Sequence, residues 1–152
     1  METKTIIKSL NHEDIVNLLA TASYGSYIIG LDYDSDEYES LPNADDEDCI
    51  EDKMAKLLLA GKSVVLADMY AEDENDYYGN LPHHWNEEDW RYPVMEYIVN
   101  LKDITDGLQR ASELGDFARE CLNDFIEDSN NFDQPRAEEL VQTIMFGKPI
   151  YG

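Results

Sequence analysis

An α+β fold is predicted for this chain: a small four-stranded sheet, open to a mixed strand order, with helices packed on it in the order β-α-β-α-β-β-α-α-α. Three observations carry the prediction. Two strand-like runs, Ser63 to Tyr70 and Val94 to Leu101, flank a long irregular segment, and the second is dense in β-branched and aromatic residues. Three successive segments of the C-terminal third repeat apolar residues at helical spacing. No Gly/Ser-rich or Pro-rich linker interrupts the 152 residues, so one domain, 1–152, is expected to hold them all.

Thr3 to Lys8 reads as a short strand around Ile6 and Ile7. Asn11, followed by Asp14 three residues later, is a capping arrangement that opens a helix with Ile15, Leu18, Leu19 and Ala22 on its core face. Ser23-Tyr24-Gly25-Ser26 stops it, and Tyr27 to Tyr33 then alternates as a strand does. A carboxylate-rich stretch from Asp32 to Asp52 leads into a helix with Ile50, Met54, Leu57 and Leu58 on one side and Gly61 as its left-handed cap. Ser63 to Tyr70 is the third strand, and 71–93 is a long irregular segment. Val94 to Leu101, the fourth strand, is expected to pair antiparallel with the third. Ile104, Leu108 and Ala111 mark one helix, and Phe117, Cys121, Leu122 and Phe125 the next, with Gly115 and Asp116 at the joint. Asp133 and Pro135 open the last helix, whose inner face is Leu140, Val141, Ile144 and Met145, and Gly147 with Pro149 closes it.

Apolar residues make up 43% of the chain and aromatic ones 11%, which predicts a packed core in spite of the charge. No signal peptide and no membrane-spanning run is legible, so the cytoplasm is the expected compartment. Cys49 and Cys121 are expected to be reduced and mostly buried, since neither has a second Cys or His at ligand spacing. The outlier is charge: 34 acidic against 11 basic residues, a formal net of -23. Direct binding to nucleic acid or to an anionic membrane depends on Lys and Arg displacing counterions, so this balance disfavours both.

Several motifs fail on inspection. Gly61-Lys62-Ser63 lacks the earlier glycine of a phosphate loop, and it joins helix to strand where a phosphate loop joins strand to helix. Asp32, Asp34 and Asp36 begin like a calcium loop, but Glu37 stands where the turn glycine belongs and Asn43 where the bidentate Glu belongs. No Gly-x-Ser-x-Gly elbow occurs. His83 and His84, with acids on both sides, give the best enzyme reading, a metal-dependent hydrolase or nuclease. That chemistry needs two to four converging ligands, and adjacent histidines in a loop do not fix a shared geometry.

The carboxylates are clustered in sequence. Eleven fall between Asp32 and Asp52 and seven between Glu72 and Asp89, with no Lys or Arg in either stretch. Tyr33 and Tyr38 lie in the first stretch, and Tyr77, Tyr78, Trp85, Trp90 and Tyr92 in or just after the second; binding surfaces use such rings as anchors, and otherwise they fold back to cover a sheet. Because the two stretches leave adjacent strands, they are expected on one edge of the fold as a single negative face. A compact chain of this length spans roughly 40 Å, over which B-form DNA carries about 23 charges.

The run from Gly61 to Glu74, with Tyr78 to His83 after it and Val99 to Ile104 further on, resembles the uncharacterised short acidic proteins carried by mobile elements of gut bacteria. The likeness covers the middle third and implies a bacterial accessory protein. Antirestriction proteins, which imitate DNA, are similar in size and acidity. The function expected is therefore non-enzymatic: an acidic interaction domain that docks on a basic protein surface, with a DNA-binding protein as the specific candidate. The expected contact residues are Asp32, Asp34, Asp36, Glu37, Tyr38, Glu39, Asp45, Asp46 and Glu47 from the first stretch, and Asp73, Glu74, Asp76, Tyr77, Tyr78 and Trp85 from the second. No catalytic residue, metal or cofactor is expected.

Overall fold

A computed structural model describes residues 9–152; the strand expected at Thr3 to Lys8 lies outside them. The first helix, α1 (His12–Ser23), opens on the reciprocal cap read from the sequence. The Asp14 N–H donates to Asn11 Oδ1 at 2.8 Å, and the Asn11 N–H donates to Asp14 Oδ2 at 3.0 Å. Such a cap contributes about 1 kcal/mol. Then follow β1 (Ile29–Asp32), α2 (Ser35–Glu39), α3 (Ile50–Leu59), β2 (Val64–Asp68), β3 (His83–Asn86), β4 (Val94–Val99), α4 (Leu101–Ala111), α5 (Asp116–Ile126) and α6 (Gln134–Phe146).

The sheet has four strands in the order β1-β2-β4-β3, and every neighbouring pair is antiparallel. The pairing of β2 with β4 is the one expected across the long segment. Two elements were not expected. The segment 71–93 is not wholly irregular, since it contains β3, and α2 lies inside the acidic stretch, where Asp34 caps it by accepting from the Asp36 and Glu37 N–H groups.

Strand side chains alternate between faces. On one face Ile29, Val64, Leu66, Met95, Tyr97 and Val99 join a single buried cluster with residues of α1, α3, α4, α5 and α6. Helix α6 packs against α1, α4 and α5 and is buried from Leu140 to Phe146. Gly107 of α4 lets it come close, for a Cβ there would lie 2.6 Å from Ile144 Cγ1.

The opposite face carries a row running across all four strands: Gly30, Ala67, Glu96 and His84. Trp90, returning from the loop after β3, lies on this row. A Cβ at Gly30 would meet its ring at 2.7 Å, and its Nε1 donates to Glu96 Oε2 at 2.8 Å, so the indole spans the Ala67 position between them. Two small residues make the notch that the ring occupies.

Candidate functional site

Because β1 and β2 are antiparallel, Asp32 at the end of β1 faces Val65 near the start of β2, while Asp68 at the end of β2 faces Ile29 at the start of β1. The two acidic stretches therefore leave the sheet at opposite ends, yet Asp89 of the second returns close enough to Asp32 of the first for its charge to act there.

The first stretch is folded on itself and partly neutralised. Lys56 of α3 pairs with Asp48, and His12 Nε2 meets Asp52 Oδ1 at 2.7 Å. The Lys53 ammonium stands 5.7 Å from the Tyr33 ring centre and 5.3 Å from that of Tyr38. Tyr38, expected as a surface anchor, is fully buried instead. Its hydroxyl donates to Asp48 Oδ2 and accepts from the Asp45 N–H, both at 2.9 Å, so the ring pins the loop onto α3. Asp34, Asp36 and Glu37 belong to the cap and first turn of α2. Asp45 accepts from the Glu47 N–H. The hydrogen bond between Glu39 and Asp46 raises the Glu39 carboxyl above its usual value. Asp32 is half-buried on the outer face. Burial raises its pKa, the Tyr33 N–H bond offsets part of this, and the charges of Glu96 and Asp89 push it further up.

The second stretch has no such neutralisation. Among the described residues, no Lys, Arg or His lies within ion-pair distance of Glu72, Asp73, Glu74, Asp76, Glu87, Glu88 or Asp89. Asp73 and Asp76 instead accept backbone N–H groups from Asn75 and Glu72. Glu74, His83, His84, Trp85, Asn86, Glu87, Glu88 and Asp89 line one groove along β3. Asn86 shapes its far end, accepting from the Glu88 and Asp89 N–H groups and donating to Asp89 Oδ2.

The rings of this stretch are mostly packed. Tyr77 stacks on His83 with centroids 4.0 Å apart, His83 leans on Tyr97, and Tyr78 and Tyr97 each meet the edge of Phe146. The Tyr78 N–H donates to Tyr97 Oη, and burial pushes the Tyr97 hydroxyl up to about 12. Trp85 is half-buried, with Nε1 donating to Glu87 Oε1 at 3.0 Å. Tyr77 keeps 46% of its surface exposed, more than its neighbours Tyr78 and Trp85. The aromatic residues thus serve largely to cover the sheet, with Trp85 lining the groove and Tyr77 stacked on its His83.

The hydrolase reading needs His83 and His84 to converge. They are successive residues of β3, so their rings leave opposite faces of the sheet, and His83 is occupied by Tyr77 and by the Leu81 carbonyl. No group of three His, Cys, Asp or Glu side chains among the described residues has the arrangement to hold a metal ion.

Two features escaped the sequence. Glu96, a lone carboxylate inside an apolar strand, was the available sign of the Trp90 notch. Cys49, expected to be mostly buried, is exposed at the start of α3, with Sγ donating to Asp52 Oδ2 at 2.9 Å. With Asp52 between thiol and imidazole, and the thiol pKa raised chiefly by that bond, the group lacks the thiol-to-imidazole contact that activates a cysteine. Cys121 is buried, as expected. No described helix is long and apolar enough to cross a membrane.

Comparison with protein-family models, with curated proteins and with solved structures finds no significant match to this chain.

Proposed function

We propose that this protein is a non-enzymatic acidic interaction domain that docks on a basic protein surface, the nucleic-acid-binding site of another protein being the specific candidate. The observation that supports this reading is the contrast between the two acidic stretches. Lys53, Lys56 and His12 stand among the carboxylates of the first, whereas those of Glu72 to Asp89 have no cationic partner among the described residues. Like charges kept together cost folding stability, and a basic partner recovers that cost on binding. The unpaired Cys49 and Cys121 accord with a reducing compartment such as the cytoplasm, and an accessory role on a mobile element is the setting that the sequence resemblance implies.

The opposite departure of the stretches favours engagement through the 72–89 side over imitation of a long duplex by the whole molecule. Titration against a restriction endonuclease, and against a basic protein that does not bind nucleic acid, tests the reading. Fast, salt-sensitive association is expected, weakened by Glu87→Gln with Glu88→Gln. Competition by duplex DNA would assign the partner surface to a nucleic-acid site. Absence of binding to either protein at low salt, or binding indifferent to the two substitutions, would overturn the proposal.

A further inference from the structure

Strand β3 is an edge of the sheet, and its register shows which backbone groups it leaves open. The Ile98 N–H donates to the Pro82 carbonyl at 2.9 Å, so Pro82 opposite Ile98 is a hydrogen-bonding position of the β3–β4 ladder. Such positions alternate in an antiparallel pair, so His84 opposite Glu96 and Asn86 opposite Val94 also bond to β4. His83 and Trp85 must then turn their N–H and C=O groups away from β4. Among the described residues no strand lies on that side. Four backbone groups, repeating at roughly 7 Å along the strand, are thus left without a strand partner among the described residues, as a template.

The flanks of this edge are negative on both faces. Trp85 and Asn86 project to opposite sides, and each holds a carboxylate beside it, Glu87 at 3.0 Å from the indole nitrogen and Asp89 at 3.0 Å from the Asn86 amide nitrogen. Glu74 and Glu88 complete the groove. Charges at an edge ordinarily prevent pairing between copies of a protein, and here a second copy would bring another -23 to the same place. The same carboxylates attract a cationic strand.

From this geometry we infer that the β3 edge takes up an extended, Lys- or Arg-bearing segment of the partner by strand addition. The backbone groups of His83 and Trp85 supply the ladder, and Glu74, Glu87, Glu88 and Asp89 receive its cations. Strand addition of this kind draws affinity from main-chain bonds and specificity from alternate side chains. The inference rests on the docking function proposed above and adds its mode.

The test uses the full chain, isotope-labelled, with a capped six-residue peptide of alternating lysine and valine. A second peptide of identical charge is N-methylated at two adjacent central residues, so that neither of its edges keeps a full set of donors. The parent peptide is expected to shift the His83 and Trp85 backbone amides, and the methylated one to bind at least about tenfold more weakly. Equal binding by both peptides, or binding by neither, overturns strand addition; the titration with basic proteins reads the docking function separately. Amides of His83 and Trp85 already protected from exchange in the free protein would assign the edge to this chain itself, through residues 1–8 or a second copy, and would equally overturn it.

Discussion

Tyr151 Oη donates to Asp68 Oδ2 at 2.8 Å, tying the C-terminal tail to the end of β2. Asp68 is fully buried and also accepts from the Tyr70 N–H at 2.9 Å. Burial raises its pKa by more than these bonds lower it. The unfolded chain releases this proton near 3.8 and the folded chain at a higher pH, so ionisation of Asp68 costs stability as pH rises through the folded value. Asp68→Asn is therefore expected to gain stability over the native chain as pH rises from 3.8 to neutrality. Urea unfolding at a series of pH values reads this, and a difference independent of pH would refute it.

The backbone of the tail is held by the side chain of Gln142. Gln142 Oε1 accepts from the Ile150 and Tyr151 N–H groups at 2.8 and 2.9 Å, and its Nε2 donates to the Tyr151 carbonyl at 3.1 Å. Gln142→Leu should cost about 1–3 kcal/mol by leaving these groups unsatisfied. Hydrogen exchange at Ile150 and Tyr151 should accelerate, and the α6 amides should stay slow. Unchanged exchange at the tail would show that the glutamine does not hold it.

Cys49 should react slowly for an exposed thiol. Its proton is engaged by Asp52, and that bond is the main reason its pKa is raised. Asp52→Asn is expected to speed its alkylation by iodoacetamide, followed by mass spectrometry. Cys121, buried and pushed up to about 12, should react only on unfolding. The same bonds from Cys49 and His12 hold Asp52 below its usual value, so its contribution to stability is present above pH 3.8 and is lost as pH falls through the folded value. No acceleration in the variant would count against this account.

The helices were legible because their signals are local. Asn11 with Asp14, and Asp133 with Pro135 and Gly147, mark ends that depend on a few adjacent residues. β2 and β4 could be read from their apolar, β-branched content. β3 could not, since in His83-His84-Trp85-Asn86 only Trp85 favours a strand and no apolar alternation occurs; its strand form goes with the ladder it shares with β4. α2 was hidden by its charge, although Asp34 carried a capping signal. The contact residues were hardest. Whether a tyrosine in an acidic loop is an anchor or a core member depends on where α3 packs, and Tyr38 proved to be core.

Gly30 is expected to tolerate no side chain. A Cβ would lie 2.7 Å from the Trp90 ring and 3.1 Å from Met69 Sδ. Gly30→Ala should therefore displace the indole and cost about 1–3 kcal/mol. The checks are denaturant unfolding and Trp fluorescence, which should shift to the red as the ring enters water. An unshifted spectrum at native stability would show that the ring has room to spare.

The notch under Trp90 also bears on how the sheet finds its alignment. A slip of one residue by β1 would bring Ile29 or Leu31 beneath the indole, where only Gly30 leaves space. The loop would then fail to close, and the Glu96 carboxylate would lose its donor. The fit of Trp90 over Gly30 thus makes the native alignment of β1 the one in which ring and strand are both accommodated.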